Sequence, residues 1–237
     1  TLITINSLYV ENSIEIKTNA DLKSLYVIPE DRSITSVFAG LEDDGIDAVV
    51  GEGLVASYTE INGVYNWIGN LTEVDPRSGY WMNQGLNDDP DEEVWASLET
   101  IGIPIDCSID YDIKHGATLI SYAGTDGMDV NDAISSDYDD AGYFDCSDFG
   151  DTGIIGTGQA AAYTPGGWVG TLNNLSRSDG YWFKACNDFT FNWDCSEDIS
   201  SRSSDAQINK IERYPEGFEY VQSTQQAFYF IQEAKID

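Results

Sequence analysis

The sequence predicts a β-rich α+β protein: two tandem copies of a small strand–helix–strand module, followed by a C-terminal β-hairpin segment. Three observations predict it. "WIGNLTEVDPRSGYW" at 67–81 returns as "WVGTLNNLSRSDGYW" at 168–182, with Trp, Gly, Leu, Gly, Tyr and Trp at identical spacing. Upstream of each, "VGEGLVASY" (50–58) returns as "IGTGQAAAY" (155–163). Before these blocks, both halves carry strand-like segments and one short helix-like stretch. Such self-similarity marks a duplicated structural unit, because each copy must solve the same packing problem.

The first module spans 1–84 and opens on the alternating strand "TLITINSLYV". "IEIK" (14–17) and "SLYVIP" (24–29) follow, paralleled by "YDIK" (111–114) and "TLISYA" (118–123). "SITSVFAGL" (33–41) and "DVNDAISS" (129–136) read as short helices, with Ser33 and Asp129 as N-caps. Within the motif, Gly69 and Gly170 follow Trp-Ile or Trp-Val, where a side chain would obstruct close packing or a special backbone angle. Leu71 with Val74, and Leu172 with Leu175, have the spacing of a helical turn laid on the core. The segments 76–79 and 176–180 are turns. Tyr80 and Trp81, like Tyr181 and Trp182, then begin a strand and must face opposite ways, so one of each pair is core. Trp67, Trp81, Trp168 and Trp182 are thereby the candidate ligand-stacking aromatics.

Residues 85–102 form an acidic connector, with a helical turn expected around "EEVWASLE". The second module, 103–198, adds an Asp-rich insertion at 137–151 that the first copy lacks. Residues 199–237 are a polar linker and a C-terminal β segment, a weakly alternating hairpin around "QSTQQ".

Composition narrows the function. Against 11 Lys+Arg stand 42 Asp+Glu, a formal charge of −31, which repels nucleic acid and anionic membrane. No apolar run approaches a membrane span, so membrane insertion is not expected. The four cysteines, Cys107, Cys146, Cys186 and Cys195, match no zinc spacing, and His115 is the single histidine. Two disulfides are expected, with three pairings open, and with them an extracellular, cell-surface or virion-surface setting.

Candidate chemistry is sparse. "GEGLVA" and "GTGQAA" match a dinucleotide fingerprint by letters, but no helix follows to hold a pyrophosphate, and a bulge or tight bend is the better reading. Asp137, Asp139 and Asp148, with Gly142, occupy positions 1, 3, 12 and 6 of an EF-hand-like loop. Asp126 and Asp129, with Asn131 and Asp132, make a second oxygen-rich cluster. Calcium is therefore the candidate metal, and no cofactor is required. His115 has no neighbouring nucleophile, and no GxSxG element occurs, so an enzyme is not expected. Two carboxylates suffice for a glycoside hydrolase, which stays a remote alternative. "NLT" at Asn70 and "NLS" at Asn174 are sequons at non-equivalent repeat positions, read as coincidence.

The Trp-Gly-Leu and Gly-Tyr-Trp blocks resemble a module of secreted and surface proteins of marine and environmental bacteria and their phages, patterned "GWNLISLP", a helix, a Val-rich strand, then "W.G.L..L..G.GYW". Its Gly-Trp-Asn positions read here as Leu22-Lys23-Ser24 and Gly116-Ala117-Thr118. The tail "YVQSTQQAFYFIQEAKID" is similar to a segment that often follows such modules and continues into a further β-domain. With Thr as first residue and Asp237 as last, a processed or trimmed chain is expected. The resemblance implies secretion and a structural or adhesive role, and supplies no catalytic residue.

The expectation is a non-enzymatic extracellular structural or adhesive protein, a subunit of a surface filament, fibre, coat or virion. Its partners would be other copies of itself, other surface proteins, or glycans. The alternative is a carbohydrate-binding module, calcium-dependent if the Asp clusters are sites. The two readings differ in what they require: the structural one wants buried repeat aromatics and interfaces, the sugar one an exposed aromatic platform.

Overall fold

The computed structural model describes residues 9–17, 20–41, 45–84, 96–144, 146 and 152–195. All belong to one compact unit, Thr1–Ile199. The expected C-terminal hairpin, residues 1–8 of the opening strand, connector residues 85–95 and Asp148 lie outside the described residues.

The duplication is real at the level of topology. In module 1 a five-stranded antiparallel sheet runs β2 (Ala20–Ser24), β7 (Gly79–Gln84), β4 (Ile46–Gly51), β5 (Leu54–Ile61), β6 (Val64–Gly69). In module 2 the order is the same: β10 (Gly116–Ser121), β14 (Gly180–Ala185), β11 (Gly153–Gly156), β12 (Gln159–Thr164), β13 (Gly167–Gly170). A smaller sheet closes each core. β1 (Val10–Ile16) pairs with β8 (Ala96–Pro104), setting Ile14 opposite Leu98, while β9 (Tyr111–Ile113) pairs with β15 (Phe189–Phe191), setting Tyr111 opposite Phe191. β8 runs on to pair with β3 (Val27–Ile28) before the chain enters module 2. Residues 96–99, expected in a helical turn, are thus strand.

The α+β expectation is overturned: the architecture is antiparallel β throughout. The helices among the described residues are single turns, α1 (Ile34–Val37), α2 (Val130–Ala133) and α3 (Asp137–Asp140). α1 ends where Gly40 takes φ +93, α2 ends where Asp194 N–H claims Ala133 O, and the flanking segments pair with distant chain. Ile34 N–H donates to Thr72 O and Val74 N–H to Arg32 O, while Val130 N–H donates to Asn173 O and Leu175 N–H to Met128 O. Ser33 and Asp129 form bridges with Glu73 and Asn174. The Leu71/Val74 and Leu172/Leu175 pairs are buried as expected, but in these bridged segments rather than on a helical turn.

The motif letters now have causes. A Cβ on Gly69 would stand 1.9 Å from Val55 O, and one on Gly170 2.1 Å from Ala160 O, so only glycine lets the partner strand approach. Glu52-Gly53 and Thr157-Gly158 are two-residue hairpin turns, each Gly at φ +69, which disposes of the dinucleotide reading. Tyr80 and Tyr181 are the core members of their pairs, and each hydroxyl accepts a backbone N–H of the preceding turn: Asp75 at 2.6 Å and Ser176 at 2.9 Å. Burial is the main reason both phenols titrate above their ordinary range.

The modules meet in a reciprocal, isologous contact. Ser24 N–H donates to Ser178 O (3.0 Å), and Ser121 N–H to Arg77 O (2.9 Å). Leu22 N–H donates to Thr157 Oγ1 (3.0 Å), and Leu119 N–H to Glu52 Oε2 (2.9 Å). Each module therefore caps the other's edge strand, β2 or β10. A Cβ on Gly79 would lie 3.1 Å from Gly180 Cα, so the glycines of Gly-Tyr-Trp sit where the two copies touch. These bonds also make Ser24 equivalent to Ser121, correcting by three residues the alignment of "SLYVIP" with "TLISYA". The letters of the two segments are too dissimilar to fix their register, which the backbone bonds settle.

Candidate functional site

Two surfaces collect aromatic side chains, both built on the outer hairpins. In module 1 the β5–β6 hairpin turns at Asn62 (φ 55) and Gly63 (φ 82), residues that tolerate the left-handed region a tight hairpin turn requires. Trp67 packs on Phe38 and on Tyr58 (5.4 Å between centroids), and Tyr58 stacks on Tyr65 at 5.5 Å. The three rings form a ladder from the core toward the hairpin tip, ending at Tyr65, which is 56% exposed. Trp67 Nε1 is buried without a hydrogen-bond partner.

In module 2 the hairpin is shorter: nine positions separate Tyr58 from Trp67, but five separate Tyr163 from Trp168. The insertion turns back over it. Phe144 packs on both Tyr163 (4.9 Å) and Trp168 (5.6 Å), leaving Trp168 buried. Beside these rings a cleft of about 590 Å³ is lined by Asn131, Asp132, Asp139, Tyr163, Trp168 and Asp194, among others. The volume lies in the small-molecule range. The Tyr163 hydroxyl is hydrogen-bonded to Asp139, which, with burial and the nearby acids, pushes its pKa up to about 12. The floor is aromatic and the rim carries carboxylates, an arrangement suited to polyhydroxylated or cationic ligands.

Of the remaining sequence candidates, Trp81 and Trp182 lie half-buried on the sheet face opposite Tyr80 and Tyr181. The calcium candidates are dispersed. Asp126 accepts Arg177 N–H at 3.0 Å, and Asp129 caps α2 by accepting Asn131 N–H at 2.8 Å. Asp137 and Asp139 belong to the single turn α3, where residues two apart do not share a face. Among the described residues no group of three or more metal-ligating side chains converges. His115 N–H donates to Asp188 Oδ1. Asn70 fastens its hairpin, accepting Val55 N–H and donating to Gly53 O.

The cysteines pair as Cys107–Cys195 and Cys146–Cys186. The first joins the beginning and end of module 2; the second ties the insertion to the end of β14. Both disulfides are consistent with an oxidising compartment. No described helix is long and apolar enough to cross a membrane.

Sequence reasoning missed Tyr58, Tyr65, Tyr163 and Asp194. The difference in Tyr-to-Trp spacing was the available signal for the hairpin tyrosines. It also missed Lys23, buried at the module junction between Asp179 (2.9 Å) and Asp21 (3.2 Å). Burial lowers its pKa, but Asp179 and then Asp21 outweigh that and hold the ammonium above the usual lysine value of 10.5.

Comparison with known proteins adds no relative: no family model, no curated protein and no solved structure matches the chain.

Proposed function

We propose that the chain is a non-enzymatic structural or adhesive protein of an extracellular surface, a subunit of a filament, fibre, coat or virion. One observation carries the reading: the repeated residues are spent on architecture. Gly69 and Gly170 admit a strand, Tyr80 and Tyr181 pin a turn, and Gly79 and Gly180 let the modules interlock. The disulfides and the resemblance to surface modules agree with it. Light scattering and electron microscopy of the purified chain, with and without chelator, test it. Ordered assemblies or adhesion to surfaces are expected; a monomer that adheres to nothing overturns the reading.

A second reading, carbohydrate binding, is favoured by the module 2 cleft, where Tyr163 and Trp168 lie beside Asp132, Asp139 and Asp194. Glycan-array binding that Asp139→Asn abolishes would promote it over the first.

A further inference from the structure

The two five-stranded sheets have four edges, and they are not treated alike. β2 and β10 are capped by the opposite module. β13 is capped by a side chain: Asn131 Oδ1 accepts Trp168 N–H at 2.7 Å, and Asn131 Nδ2 donates to Trp168 O at 3.4 Å. The position equivalent to Asn131 in module 1 is Thr35, and no hydrogen bond joins it to β6 among the described residues. Trp67, the counterpart of Trp168, therefore presents its backbone along an edge without that cap.

Charge separates this edge from the rest of the molecule. The chain carries −31, yet no charged residue occurs from Ile61 to Thr72. Open strands are ordinarily guarded by lysine, proline or a covering side chain. β6 itself carries neither lysine nor proline, no hydrogen bond from a covering side chain reaches its outer edge among the described residues, and Val64 (59% exposed) and Ile68 (42%) stand on one of its faces. Two polyanionic copies approaching through most other surfaces bring like charges together; β6 itself brings none, the nearest carboxylate in its sheet being Glu60, one strand further in.

We infer that β6 is a pairing edge for a second copy of this chain, joined antiparallel to the same strand about a two-fold axis at Asn66. That register places Val64 of each copy opposite Ile68 of the other and pairs the backbone groups at Tyr65 and Trp67. Both sheets become one of ten strands, with no open β6 edge remaining. The inference deepens the subunit reading and rests on it, supplying a symmetric dimer as the building block.

The test is sedimentation of the full chain across concentration, beside Val64→Lys/Ile68→Lys, which sets lysines opposite lysines at the axis. Ile101→Lys/Ile103→Lys adds the same charge at exposed apolar sites on β8 (60% and 54%) and serves as control. Circular dichroism melts verify that all three fold. The wild type and the β8 variant are expected to dimerise, with at least a tenfold weaker association for the β6 variant. Association that the β6 lysines leave unchanged overturns the β6 edge while the subunit reading stands. A wild-type monomer that still adheres to surfaces overturns the edge and keeps only the adhesive reading; one that does not adhere overturns both.

Discussion

Module 2 covers on its outer hairpin what module 1 leaves open. Trp168 lies under Phe144, its strand capped by Asn131 and its insertion tied down by Cys146–Cys186, whereas Trp67 continues into a ladder of tyrosines on a longer hairpin that has no such cap among the described residues. The junction is asymmetric in the same way. Where one half holds Lys23 against Asp179, the pseudo-symmetric half bridges Ile120 and Ser78. Two copies of one fold thus share a framework and differ at the surface: one is braced, the other exposed. Contact with another molecule is more readily accommodated on the exposed copy.

The largest break in this comparison comes from the brace itself. Cys107→Ser/Cys195→Ser opens an 88-residue closure and is expected to cost about 4 kcal/mol in denaturant unfolding, with hydrogen exchange rising in module 2 before module 1. Next is the junction. Lys23→Ile strands the buried Asp21 without a cation and should cost about 3 kcal/mol, whereas Asp21→Thr/Lys23→Ile/Asp179→Ser, which copies the other half, should recover most of it. Calorimetry of the two variants decides whether the halves are interchangeable. Gly180→Val forces a side chain against Gly79 Cα and Lys23 O and is expected to cost about 2 kcal/mol while leaving each module's own sheet intact by circular dichroism.

Smaller effects sharpen the contrast between the helical turns. Asp129 caps α2 with its side chain and Ser33 makes no cap bond to α1, so Asp129→Ala should lose about 1 kcal/mol and Ser33→Ala a few tenths, read from thermal melts. The smallest is ionic. Tyr163, held by Asp139, has a folded-state pKa raised to about 12, so its contribution is complete below pH 10 and lost as pH rises toward 12. Lys23, also raised, acts in the same direction from about 10.5 upward. Asp139→Asn should bring the Tyr163 titration, followed by ring NMR, down toward 10.

The repeat was legible because the glycines and tyrosines it preserves answer strict geometric demands, and strict demands leave strict letters. The helices are shorter than the letters imply because "SITSVFAGL" and "DVNDAISS" carry spaced apolar residues and cap candidates, while Gly40 at φ +93 ends the first and the Asp194 N–H that takes Ala133 O, from far along the chain, ends the second. The same holds for the site. Trp67 and Trp168 are identical letters, but the first is half-buried and the second buried under Phe144, an insertion residue with no counterpart in the first copy. Backbone roles for the Asp clusters were not legible in their spacing: Asp126 accepts Arg177 N–H, and Asp129 caps α2 by accepting Asn131 N–H.

The bridge between Cys107 and Cys195 also sets how the molecule answers a mechanical pull. Tension applied at the two ends of the chain crosses from one cysteine to the other through a covalent bond, and the residues between them carry none. Module 1 contains no cysteine, so its β1–β8 pairing is in the line of force. Under stretch the protein is a strain gauge with a fixed half: module 1 lengthens, and module 2 keeps its shape.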